Sequence, residues 1–259
     1  MFKAPLNLAK ARILVTNDDG INAPGLTVLE KAARKLSRDV WVVAPEIEQS
    51  GAGHSLTLRR PLQVRKISSR RFAVDGTPTD CVLLAVNHLI PKRRPDLVLS
   101  GVNRGANLGE DVTYSGTIAA AMEGTLLEIP SIALSQLREG TVIRWHAAEK
   151  FAADVIRKLT SVEWPRGVLM NVNFPIVPPA KIAGVQFVRQ GRRTAGIEIV
   201  AIKDPLNRPY LWIGDFLSDD AVGPDTDLAA TRAGTISVTP LHLDLTHGAT
   251  LAKLKKAFA

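Results

Sequence analysis

Two aspartates stand side by side at the end of an apolar run. In Thr16-Asn17-Asp18-Asp19-Gly20 the pair directly follows Ile13-Leu14-Val15, which reads as a buried strand. Two like charges at the edge of a low-dielectric core repel each other, and a divalent cation between them removes the conflict. Within a regular strand Asp18 and Asp19 face opposite sides, but Gly20 lets the chain turn so that both carboxylates approach one ion. Asp-Asp-Gly is also a common turn, and these residues alone leave both readings open.

A second loop, Gln49-Ser50-Gly51-Ala52-Gly53-His54-Ser55, offers a hydroxyl at Ser50 with small residues that permit close backbone approach. His54 suits a general acid and equally a solvated loop side chain. A third loop, residues 100–109, sets Asn103 and Asn107 among glycines, so that amide oxygens can face a cation and N–H groups a phosphate. Tyr114-Ser115-Gly116-Thr117 then opens a helix. A helix start built of small residues attracts anions, because free N–H groups and the helix dipole point at them. Ser115 serves equally as an ordinary cap. The spacing matches neither a Walker A loop nor a dinucleotide fingerprint. Taken together, the loops supply an oxygen-only cation site beside an anion-binding helix start, a set suited to hydrolysis of a phosphate monoester.

Oxygen is the expected donor because nitrogen and sulfur are poorly placed. No two of the five histidines fall at His-x-x-x-His spacing, and the single cysteine, Cys81, lies in the apolar run 81–86 as a small core residue. Magnesium, manganese or calcium fit such a site.

Bringing three distant loops to one place requires a particular frame. Open parallel sheets bind ligands outside the carboxyl ends of their strands. Apolar runs at 12–16, 40–44, 96–100, 131–134 and 168–172 read as strands buried on both faces. Helical patterns at 25–36, 78–89, 117–127 and 147–159 alternate with them. Thr77-Pro78-Thr79-Asp80 supplies a cap, a first-turn proline and a first-turn acid. The expected fold is α/β, a Rossmann-like and mainly parallel sheet with helices on both faces. From about 181 the texture changes. Runs at 185–188, 197–200 and 210–213 without helices between them read as antiparallel hairpins, followed by a helix at 226–233, a strand at 235–238 and a basic helix from about 249. The expected division is a catalytic core over 1–180 and an extension over 181–259 that acts in oligomerisation.

The net charge of +8 comes from dispersed clusters, among them Arg65/Lys66/Arg70/Arg71 and Arg189/Arg192/Arg193, which lack interleaved aromatics and read as solvated surface. No run approaches the roughly 20 apolar residues of a spanning helix. The first ten residues show no secretory pattern, so a cytoplasmic location is the expectation.

Ordered blocks carry a family likeness: Val15-Thr16-Asn17-Asp18-Asp19-Gly20-Ile21, Ala23-Pro24-Gly25-Leu26, Ser50-Gly51, Ser55-Leu56-Thr57, Asp75-Gly76-Thr77-Pro78, Ser100-Gly101-Val102-Asn103 and Tyr114-Ser115-Gly116-Thr117, then Thr226-Asp227 and Ser237-Val238-Thr239-Pro240-Leu241. In these the chain resembles the SurE (survival protein E) family of 5′/3′-nucleotidases. The resemblance implies one divalent ion per subunit, magnesium or manganese, held by Asp18, Asp19, Ser50 and Asn103; Asp18 and Asp19 are also the expected catalytic residues, because a carboxylate there can accept the proton of an attacking water. It implies nucleoside monophosphates as substrates, broader phosphatase or exopolyphosphatase activity in some members, and a homodimer or homotetramer built through an exchanged hairpin and tail. Asn107, Ser115, Gly116 and Thr117 fit a phosphate-holding role by position. Many members carry basic residues just before the serine, whereas this chain has Glu46-Ile47-Glu48-Gln49. Two rival readings remain. A haloacid-dehalogenase-like phosphatase also uses aspartates after a first strand, but its Asp-x-Asp spacing is absent. A nucleic-acid-binding protein fits the charge but matches no recognised binding motif.

Overall fold

The computed structural model describes residues 1–193, 196–216 and 223–259. In chain order, β1 (Arg12–Thr16), α1 (Pro24–Arg34) and β2 (Asp39–Pro45) are followed by the pair β3 (Val64–Ser68) and β4 (Arg71–Val74). Then come α2 (Pro78–Leu84), β5 (Leu97–Arg104), α3 (Asp111–Tyr114), α4 (Gly116–Leu126), β6 (Ser131–Gln136), α5 (His146–Leu159) and β7 (Val168–Phe174). The chain ends through β8 (Val185–Phe187), β9 (Ile197–Lys203), β10 (Pro209–Phe216), α6 (Asp227–Arg232), β11 (Ile236–His242) and α7 (Gly248–Ala257).

Nine of these strands form one sheet in the order β3-β4-β2-β1-β5-β6-β7-β11-β8. From β4 to β7 all neighbours are parallel, which makes this the expected mainly parallel α/β sheet. Alternation along β1 divides the core. Ile13 and Val15 pack with Leu26 and Leu29 of α1 and Ala148 and Ile156 of α5, whereas Leu14 packs with Cys81 and Val82 of α2 and Ala120 of α4. Helices therefore cover both faces. Cys81 is a fully buried core residue, and burial pushes its thiol well up.

The start of α2 shows local sequence dictating structure. Thr77 accepts from the Asp80 N–H at 3.1 Å and Asp80 accepts from the Thr77 N–H at 2.9 Å, a complete capping box with Pro78 at the first turn. The final turn, Ala85–Leu89, widens to π geometry, so the expected helix reaches its limit in a different form.

One expectation needs correction. The strand at Val185–Phe187 does not belong to an antiparallel hairpin; it pairs parallel with β11, which itself runs antiparallel beside β7. Strands β8 and β11 thus complete the core sheet, and only β9 and β10 form a separate antiparallel ribbon. The basic segment around Arg65 and Arg71 forms the β3–β4 pair, and β3 lies largely exposed, as solvated surface should. Charge on β3 suits an outer strand, which must not recruit another chain. Its arginines are also partnered: Arg65 meets Glu46 and Arg71 meets Glu30, while elsewhere Arg60 meets Asp75 and Arg93 meets Asp96.

Among the described residues no helix is long and apolar enough to cross a membrane. The ribbon leaves Leu211, Trp212 and Ile213 exposed, and α7 buries none of its side chains.

Candidate functional site

The order of strands creates a switch point. From β1 the chain moves outward to β2 and β4, and from β5 it moves the opposite way to β6 and β7, so the loops leaving β1 and β5 diverge and open a crevice between them. Asp18 and Asp19 leave β1 there, and Asn103 and Arg104 end β5 beside them. Gly20 has φ of +100° and Asn17 Nδ2 donates to its carbonyl at 2.9 Å, which closes the turn anticipated from Asp-Asp-Gly. The second loop is pinned to the first, since the Gln49 N–H donates to the Asp18 carbonyl at 2.8 Å. It is pinned again at Gly53, whose N–H donates to the Tyr114 carbonyl at 3.1 Å.

These loops surround a cleft of about 210 Å³ whose lining includes Asp18, Asp19, Ser50, Asn103, Asn107 and Ser115. Six of the eight expected site residues therefore meet. Gly116 and Thr117 are not among the cleft's lining residues and meet Asp18 instead. The anion facing the start of α4 is the Asp18 carboxylate: the Thr117 hydroxyl donates to its Oδ1. A methyl group at position 116 would lie 2.8 Å from Asp18 Cβ, so only glycine allows this approach. Ser115 caps α4 by accepting from the Ile118 N–H at 3.1 Å. His54 points away from the carboxylate pair to Glu123 on α4, with Nε2 and Oε2 3.1 Å apart.

The two aspartates are electrostatically uncomfortable. Burial raises the Asp18 carboxyl from 3.8 to about 6, against the lowering effect of the Thr117 hydroxyl, and the charge of Asp19 raises it further. Asp19 is also raised by burial, opposed by the Arg104 N–H that its Oδ2 accepts at 3.0 Å. Asn103 Nδ2 donates to the Gly105 carbonyl at 3.1 Å, which leaves Oδ1 as its accepting end. Two carboxylates, one hydroxyl and one amide oxygen form a hard-cation donor set. Among the described residues no cluster of three His, Cys, Asp or Glu offers an alternative.

Sequence reasoning missed the residues that hold the third loop. The Asn107 N–H donates to Asn173 Oδ1 at 2.8 Å, its Nδ2 donates to Ser135 Oγ at 2.8 Å, and its carbonyl accepts from Asn171 Nδ2 at 2.8 Å. Asp227, fully buried, accepts from the N–H groups of Gly109 at 3.0 Å and Gly191 at 2.8 Å. Arg193, read from sequence as solvated, is mostly buried; it pairs with Asp111 at 2.9 Å and donates to the Leu108 carbonyl at 3.0 Å. Glu48 accepts from Ser50 Oγ at 2.7 Å and from the Arg104 guanidinium at 3.1 Å. In sequence, Asp227 was marked only by the Thr226-Asp227 block, with no partner named, while Asn171, Asn173 and Ser135 carried no signal.

The raised Asp18 carboxyl has a stability consequence. The folded chain holds this proton more tightly than the unfolded chain, so the associated stability is complete below pH 3.8 and is lost as pH rises through about 6. The difference corresponds to at most about 3 kcal/mol. Asp18→Asn keeps an acceptor for Thr117 and removes the charge. In chelator, the variant is expected to melt above the parent at pH 8, with the advantage shrinking towards pH 4. Thermal unfolding across pH checks this, and a pH-independent difference contradicts it.

The family model described as "Survival protein SurE" matches residues 13–196. A "5'-nucleotidase SurE" of Paramagnetospirillum magneticum is 60% identical over 248 residues, covering 95% of each chain. One of Rhodospirillum rubrum is 55% identical over 262 residues, covering 100% of each. In structure, the SurE protein from Aquifex aeolicus superposes with a TM-score of 0.82 at 40% identity, over 96% of this chain and all of that one. Family match, near full-length identity and a shared fold agree, and the chain belongs to the SurE family.

Proposed function

We propose that this chain is a phosphomonoesterase that hydrolyses nucleoside 5′- and 3′-monophosphates to nucleoside and phosphate, using one Mg2+ or Mn2+ ion per subunit held by Asp18, Asp19, Ser50 and Asn103. The observation that carries this reading is the meeting of those oxygen donors, from three loops, on one cleft at the sheet's switch point. The names of the relatives from Paramagnetospirillum magneticum and Rhodospirillum rubrum support the nucleotide as substrate.

When bound, the cation neutralises phosphoryl charge and acidifies a water at neutral pH. The chain's own groups do the rest. Thr117 and the start of α4 fix Asp18, so this carboxylate serves as a rigid ligand. The Arg104 N–H fixes one oxygen of Asp19 and leaves the other to face the cleft, which suits Asp19 to position and deprotonate the attacking water. Asn107 and Ser115, also on the lining, stand where a phosphate oxygen can be held. A cleft of about 210 Å³ accommodates a phosphate and part of a sugar, leaving the base near its mouth. Such a site reads the phosphate more strictly than the base, and this favours breadth among phosphomonoesters, with polyphosphate as a further substrate to screen.

Chelation is expected to abolish phosphate release from nucleoside monophosphates, and manganese or magnesium to restore it. Full activity after exhaustive chelation removes the reading. Asp19→Asn is expected to lose roughly a thousandfold in kcat, about 4 kcal/mol of transition-state stabilisation, with the fold intact by circular dichroism.

Assembly belongs to the same proposal. The β9–β10 ribbon and α7 expose apolar side chains, Trp212 and Leu254 among them, that a single copy leaves in water. A homodimer or homotetramer that covers them is expected by light scattering at micromolar concentration; an active monomer contradicts it.

A further inference from the structure

The cleft holds more negative charge than its anionic substrate tolerates. Asp18, Asp19 and Asp111 line it, and Glu48 stands beside Ser50. Asp111 is already matched by Arg193. Among the described lining residues, one basic side chain remains, Arg104.

Arg104 is arranged to move. Its N–H is fixed on Asp19 at 3.0 Å, whereas its guanidinium reaches out to Glu48 Oε1 at 3.1 Å with both side chains about half exposed. An ion pair so exposed is weak and easily exchanged. A phosphate dianion outcompetes it, because the planar guanidinium matches two phosphate oxygens at once with charge-assisted bonds. The backbone contact to Asp19 need not break when the side chain swings.

We propose that Arg104 is a specificity-determining residue that leaves Glu48 when substrate arrives and grips the phosphoryl group of a phosphomonoester dianion, while Glu48 parks the guanidinium in the free protein. This rests on the phosphomonoesterase reading above. Glu48 thereby becomes a competitor of the substrate, and its charge weakens binding. The two partners of one ion pair then act with opposite signs, which a simple structural brace does not produce.

The test uses Arg104→Gln, Arg104→Lys, Glu48→Gln and the double glutamine variant, all loaded with Mn2+. Inorganic phosphate binding is measured by calorimetry, and KM and kcat on a nucleoside 5′-monophosphate and on p-nitrophenyl phosphate. Arg104→Gln should weaken phosphate binding and raise KM about ten- to a hundredfold on both substrates, with kcat changing less. Arg104→Lys should recover part of that loss. Glu48→Gln keeps an acceptor for Ser50 and should tighten phosphate binding about two- to fivefold. The double variant should behave as Arg104→Gln. Unchanged phosphate affinity in Arg104→Gln overturns the proposal, as does Glu48→Gln weakening binding as much as Arg104→Gln. A KM effect confined to one substrate also overturns it, because the contact would then lie outside the phosphoryl group. Arg104-dependent phosphate binding without turnover in the parent would sustain this inference and remove the phosphomonoesterase reading instead.

Discussion

A buried carboxylate beside a second carboxylate is the constraint around which this structure is organised. Asp18 is 5% exposed, and its neighbour Asp19 adds like charge. An isolated buried charge is costly, and the chain supplies partial answers from several directions. Thr117 donates its hydroxyl, the start of α4 points its dipole at the group, and Gly116 withholds the side chain that would keep the helix away. Those answers leave the carboxyl raised to about 6, so the compensation is incomplete. A site whose own groups repel is not there for stability.

The same constraint reaches far from the strand that carries the aspartates. Asn103 can face them only if the loop behind it stays put, and that loop is held by partners distant in sequence. Asp227 lies 118 residues from Gly109, whose N–H it accepts, and Asn173 lies 66 residues from Asn107. Strand β7 supplies Asn171 and Asn173, and β11 closes the sheet beside them. Asp227 ties the loop to residue 191 at the same time, which holds the segment leading to the exposed ribbon against the third loop. The segment beyond 181 therefore serves the site as well as any assembly.

What was legible in the sequence was what local chemistry decides. The bounds of β1, the capping box of α2 and the turn at Gly20 follow from neighbours within a few residues, and the structure has all three. Long-range pairing was not legible. A three-residue strand such as β8 carries no periodicity that tells a parallel partner from an antiparallel one, and β11 arrives only after the ribbon has intervened. Arg193 looked solvated because its cluster is charged, yet one member of that cluster turns inward to Asp111 and the Leu108 carbonyl. At the start of α4, which the sequence offered both as an anion site and as an ordinary cap, Ser115 caps the helix and Thr117 donates to Asp18 of the chain itself.

That last difference changes how charge around the cleft is understood. If the dipole of α4 steadies Asp18, it is not free to hold phosphate, and positive charge for the substrate must come from elsewhere. The chain carries a net charge of +8, but the arginines described above largely meet carboxylates, so the surplus does not gather at the cleft. Glu48 stands just before Ser50, and Arg104 faces it from the end of β5. On the proposed reading, a cation shared by four oxygens balances the aspartates, and the Arg104 guanidinium balances the incoming phosphate. The acidic cleft and the dianionic substrate become compatible only when both are present.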